Sequence, residues 1–115
     1  MAKRGMADKS MSEHQAKFEV GQIIQHRLFD YLGVIFDVDP VFSGTDEWYE
    51  AVAKSRPPKD QPWYHVLVHE SAQTTYVAER NLEACEEPQR IVHPFMDRLF
   101  GSLEGERYRP KRRLN

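Results

Sequence analysis

The residues of this chain best able to do chemistry are five histidines, a single cysteine and a closely spaced pair of aspartates. His65 and His69 stand four apart in the strand-like run WYHVLVH and so share one face of it. His26 lies in an earlier run that is a candidate neighbour, while His14 and His93 stand apart. A zinc site needs three or four ligands converging at about 2 Å. Cys85 has no cysteine partner and no HExxH pair is present. Each histidine therefore reads as an ordinary half-buried hydrogen-bonding residue, and no metal is expected. Asp37 and Asp39 are one strand repeat apart and would share a face, as an acid–base pair must. They precede Pro40, however, where aspartate ordinarily caps a turn. Cys85 sits in ACEEP, whose carboxylates raise a thiol pKa and weaken it as a nucleophile. Neither GxGxxG nor a phosphate-binding GxxxxGK loop occurs. The chain is read as non-enzymatic, with no cofactor.

Short strands must position these residues. FEVGQIIQH and LFDYLGVIFDVD are rich in β-branched and aromatic residues, which favour a pleated, half-buried surface. In the second run, Val34, Phe36 and Val38 are expected on one face and Ile35, Asp37 and Asp39 on the other. Pro40 lacks an amide donor and ends it. Gly21 is expected at a turn or bulge, and Gly33 where another strand comes close. Residues 45–61 form a long insertion. Thr45 is a good helix N-cap ahead of Asp46 and Glu47, and Pro57 and Pro58 stop the one or two helical turns expected there. PWYHVLVHE and TTYVAE read as two more strands, followed by a turn and a brief strand or 3₁₀ segment in RNLEAC. Phe95, Leu99, Phe100 and Leu103 fit one face of a short helix with Pro94 in its first turn. The pattern predicts a mainly β domain: a small, bent antiparallel barrel with a helical-turn loop insertion and a short C-terminal helix. It divides the chain into a disordered arm over 1–17, a domain over 18–104 and a basic tail over 105–115.

With 115 residues the chain has room for one domain. No apolar run reaches the roughly 18 residues that span a membrane, and the N-terminus has no apolar segment after its charges. One cysteine excludes an internal disulfide and points to a reducing cytoplasm. The net charge of −2 is unevenly spread. Residues 1–17 carry four basic and two acidic side chains, residues 18–84 five and eleven, and residues 85–115 seven and five. An acidic body with basic ends is not the footprint of a fold that clamps duplex DNA with its surface. Arg107, Arg109, Lys111, Arg112 and Arg113 are the candidate contacts for an anion such as a phosphate backbone. The candidate binding face presents His26, Arg27, Tyr31, Trp63 and His65.

The order of VGQ, HRLFDYLGVI, DVDP and WYHVLV along the chain resembles the HspQ proteins, also called the YccV-like or hemimethylated-DNA-binding family. The resemblance runs from Phe18 to about Glu83, with further likeness in HPFMDRLF and the terminal LN. It implies an SH3-like barrel in a small cytoplasmic heat-shock protein of bacteria, without a catalytic role. It also implies two kinds of partner. One is the ATP-dependent Lon protease with its unfolded substrates, which such a protein serves as a specificity-enhancing adaptor while being a substrate itself. The other is hemimethylated DNA. Self-association, as a trimer, is implied as well. Specific DNA binding rests on several phosphate contacts made largely by Lys and Arg. The acidic body therefore favours the protease adaptor, with DNA binding as the alternative.

Overall fold

The computed structural model describes residues 15–111. Residues 1–14 of the expected arm, and Arg112 and Arg113, lie outside them. The elements in chain order are β1 (Ile23–His26), β2 (Leu32–Asp39), α1 (Asp46–Val52), β3 (Trp63–Val68), β4 (Thr74–Ala78), a 3₁₀ turn (Glu79–Asn81), β5 (Leu82–Ala84), α2 (Met96–Leu99), β6 (Phe100–Glu104) and β7 (Arg107–Pro110). Five strands form one antiparallel sheet in the order β4-β3-β2-β1-β5, and β6 pairs only with β7. The fold is thus mainly β, with few and short helices.

The sheet is open. β4 and β5 follow one another in the chain yet occupy opposite edges, and no ladder joins them. The mainly β, antiparallel character expected from the sequence is observed, and the expected barrel is corrected in one respect: the sheet does not close. Alternating strand patterns specify neighbouring pairs, but closure depends on where the two outermost strands end up.

Each face of the sheet carries its own core. Ile24, Ile35, Tyr64, Val66, Val77 and Leu82 pack on one side. Ile23, Val34 and Leu67 pack on the other, against Cys85, Ile91, Phe100 and Tyr108. Fully burying such a side chain contributes about 1.5–3 kcal/mol. A one-residue slip would turn both sets the wrong way, so the register is strongly specified. Gly33 opposes Val68 at the middle of the sheet. A Cβ there would lie 2.5 Å from a Val66 methyl and 2.6 Å from the Leu67 carbonyl oxygen, so the close approach of β2 and β3 requires glycine.

Two expectations change in detail. The pairing of β2 with β3 shifts between Ile35 and Asp37, a bulge centred on Phe36. Beyond it Asp37 pairs with His65 and Asp39 with Trp63, while Val38, opposite Tyr64, joins Ile35 in the same core. The strict alternation expected for this strand breaks at that point. The C-terminal helix is only the single turn of α2, and Phe100 and Leu103 belong to β6. Apolar residues three and four apart in so short a run fit either structure, and Gly101 does not sustain a helix. Arg107 to Pro110, expected within a tail, form β7. Tyr108 anchors this hairpin: its amide donates to the Gly21 carbonyl at 2.7 Å and its hydroxyl accepts from the Ile91 amide at 2.9 Å. Gly21 has φ +93°, and a Cβ on it would collide with the Tyr108 carbonyl.

Candidate functional site

A groove of about 720 Å³ runs along β4, the outer strand of the sheet. Its first wall is α1. Thr45 caps this helix by accepting the Trp48 amide at 3.0 Å, with Asp46 and Glu47 in the first turn facing the positive end of the helix dipole. The connection that follows is latched to the sheet. Tyr49 donates to the Pro57 carbonyl at 2.7 Å, and the Trp63 indole donates to the Pro58 carbonyl at 3.0 Å. Trp48 and the half-exposed Val52 thereby become the rim.

The second wall is the β1–β2 turn. Its organiser is His26, which is buried. Its Nδ1 accepts the amides of Leu28 at 3.1 Å and Phe29 at 3.0 Å. Two donors on Nδ1 place the ring proton on Nε2 and require the neutral form. Burial acts in the same direction and lowers the pKa of His26. Asp30, at φ +62°, reverses the chain. The turn leaves Leu28 59% and Phe29 73% exposed, and Phe29 is the most exposed large apolar side chain among the described residues. Phe29 stacks on His26 with ring centroids 4.7 Å apart.

The floor is β4 and its neighbours. Tyr31 bonds Thr75 through their hydroxyls at 2.7 Å. Trp63, Phe42, Trp48 and Tyr76 form an aromatic cluster, with Trp63 and Tyr76 centroids 5.2 Å apart. Behind Tyr76 lies a polar centre. Asp39 Oδ2 accepts from the Tyr76 hydroxyl at 2.7 Å and from His65 Nε2 at 3.1 Å. Burial pushes the Asp39 carboxyl up, but bonds from Tyr76, His65 and Ser43 and the attraction of His65 hold it below the usual value. Burial, and then the Asp39 carboxylate, push the Tyr76 hydroxyl up to about 12.

Asp37, Asp39 and His65 bring one ligand atom each within 4.8 Å of the others. The bulge at Phe36 assembles this trio, and a reading of β2 by strict alternation misses it. As a metal site the trio fits poorly. Asp39 Oδ2 already serves two donors, and Asp37 Oδ1 takes the amide of Val38 at 2.9 Å. Its arrangement instead fixes the positions of His65 and Tyr76.

Of the residues singled out in the sequence, His26, Tyr31, Trp63 and His65 line this one groove. Arg27 lies outside it, exposed and 3.6 Å from Glu83. Trp63, expected on the candidate binding face, is fully buried and so offers no open contact surface of its own. Arg107 and Arg109 face Glu19 at 2.8 Å and Glu104 at 3.7 Å, and Lys111 donates to the Asp97 carbonyl at 2.5 Å. None of these three lines the groove. Sequence reasoning missed Leu28, Phe29, Trp48 and Val52. For Leu28 and Phe29 the available signal was LFDYL, in which two adjacent apolar residues precede Asp30 and two follow it, so that it does not alternate as a half-buried strand should.

Residues 16–107 match the family model described as hemimethylated DNA-binding protein YccV like. The chain belongs to the YccV-like family. The description is that of a binding domain. Among the described residues no helix is long and apolar enough to cross a membrane.

Proposed function

We propose that the protein is a cytoplasmic, non-catalytic accessory in protein quality control, which binds polypeptide and, like HspQ, adapts an ATP-dependent protease of the Lon type to its unfolded substrates. The observation that carries this reading is the groove. Among the described residues its walls hold Leu28, Phe29, Trp48 and Val52 but no carboxylate, and Lys54 is their only permanently charged side chain. Such a surface suits a polypeptide and is too poor in cations for a phosphate backbone. Elsewhere Arg27, Arg56 and Lys59 each stand beside a carboxylate. The strand order, with a 3₁₀ turn ahead of β5, supports placing the sheet in the SH3-like class.

The test is degradation of an unfolded model substrate by the protease, with and without the protein and with Phe29→Ser. Faster or more selective degradation that Phe29→Ser diminishes supports the adaptor. An unchanged rate with the native protein removes it.

The family description and the basic strand β7 favour DNA as a second reading. In that case hemimethylated duplex must bind better than unmethylated and fully methylated duplexes across a salt series. Self-association, including a trimer, is a further part of the proposal that sedimentation measures directly.

A further inference from the structure

We propose that the free edge of β4 captures an extended polypeptide segment by strand addition, with alternate apolar side chains of that segment seated in the groove. This inference rests on the polypeptide-binding reading and specifies how the segment is held.

The phase of the β3–β4 ladder comes first. Val68 donates to the Gln73 carbonyl at 3.1 Å and Glu79 to the Pro62 carbonyl at 3.1 Å. In an antiparallel pair, residues alternate between those that exchange backbone bonds with the partner strand and those whose amide and carbonyl turn away. Counting from these two bonds, Thr75 and Val77 face β3, whereas Thr74 and Tyr76 point their amides and carbonyls outward. Among the described residues, nothing bonds the backbone of Thr74 or Tyr76 on that side, and β4 pairs with β3 alone.

Folded proteins usually blunt such an edge with charge, proline or a bulge. Thr74–Ala78 carries no charged residue and no proline, and its register is unbroken. The groove instead wraps the edge. Trp48, Val52 and Tyr76 line one flank, and Leu28, Phe29 and Tyr31 the other. An added strand would place its two faces against these two flanks, which is how strand addition combines backbone affinity with side-chain selection.

Charge then selects the occupant. Among the described residues no carboxylate lines the groove, in a body where acids outnumber bases. Lys54 lies at one end, next to Ser55, which bonds Arg80 and Asn81 just beyond β4. A segment antiparallel to β4 would bring its N-terminal end there. The fitting occupant is an extended segment of another polypeptide with β-branched or aromatic residues at alternate positions and an acidic residue at its N-terminal end.

The probe is a labelled peptide of about eight residues, valine and phenylalanine alternating with threonine behind an N-terminal glutamate. It is titrated against the full chain by fluorescence anisotropy. Two further peptides carry backbone N-methyl groups on the two alternate sets of residues. We expect one set to weaken binding about tenfold and the other to leave it nearly unchanged. Thr74→Pro, which removes an outward amide and leaves the β3 ladder intact, should weaken binding about fivefold with an unchanged unfolding midpoint. Lys54→Glu should disfavour the glutamate peptide and favour its lysine counterpart, a reversal that misfolding cannot produce.

Equal binding of all three peptides would overturn strand addition while leaving the groove a polypeptide site. Binding of none of them, with proteolysis unaffected by the protein, would overturn the polypeptide-binding reading itself. Displacement of the peptide by a second copy at high protein concentration, or by duplex DNA, would overturn the assignment of the occupant.

Discussion

The two edges of the five-stranded sheet make a pointed contrast. β4 ends the sheet with five uncharged residues, an unbroken register and an apolar groove along its flank. β5 ends it with three residues, Leu82–Ala84, and runs into Cys85, Glu86, Glu87 and Pro88. The hollow beside β5 is lined by Glu83, Glu86 and Glu87 with Gln25 and Gln89. Shortness, charge and proline are the usual devices that keep an edge from pairing. The same sheet thus protects one border and leaves the other available. An exposed edge is tolerable where its flanks select what may join it.

The contrast can be broken first at its shared support. Gly33→Val forces a branched side chain into the Val66 methyl and the Leu67 carbonyl. We expect a loss of about 3 kcal/mol, read from the urea midpoint, with both edges lost together. An unchanged midpoint would show that β2 and β3 can separate without cost.

Next, Asp39→Ala removes the acceptor of both Tyr76 and His65. The expected cost is about 2 kcal/mol. The Tyr76 hydroxyl should then titrate below its value of about 12, since the neighbouring carboxylate helps to hold it there. Ultraviolet phenolate titration reads this. Unmoved ionisation would place the origin of the shift in burial alone.

A smaller effect is expected at the α1 wall. Thr45→Ala deletes the N-cap bond to Trp48 and should cost about 1 kcal/mol. Hydrogen exchange should show it as faster opening of the α1 amides, with weaker peptide binding and little change at β5.

The opposite wall depends on pH. Burial lowers the folded-state pKa of His26 below 6.5, so between those two values the unfolded chain binds a proton that the folded chain does not. Stability from this residue is therefore complete above about pH 6.5 and declines as pH falls through that window. Amides of Leu28 and Phe29 should lose exchange protection there, and His26→Ala should remove the slope. Protection that rises on acidification would reverse the assigned role.

The smallest effect belongs to the protected edge. Glu86→Gln with Glu87→Gln should move stability by no more than about 0.5 kcal/mol and leave peptide affinity untouched, while raising self-association. A matching loss of peptide affinity would erase the distinction between the two edges.

Much of the fold is legible locally. Thr45 is readable as an N-cap because its hydroxyl, the acidic first turn and the later prolines all lie within a dozen or so residues. β3 and β4 are legible from their alternation, and Gly21 and Gly33 from the lack of a side chain where bulk would not fit. The bulge at Phe36 is not, because it answers to the fit of β2 against β3 and leaves no mark in composition. The β6–β7 hairpin is not either. Phe100 and Leu103 satisfy a helical spacing as well as a strand, and only Tyr108, packed beside Phe100, decides between them.

The site divides in the same way. His26, Tyr31, Trp63 and His65 are recognisable as aromatic and hydrogen-bonding residues on strands, but their convergence on one groove is not. Leu28 and Phe29 read as strand residues until His26 gathers their amides and turns the chain. The sequence by itself determined the central strands of the sheet, where the inserted helix starts and that the body is acidic, because propensity, capping and charge act over short stretches of chain. Only the tertiary structure decided that the sheet stays open, which edge is left unpaired and which side chains flank it, because those outcomes depend on contacts between segments far apart in the chain.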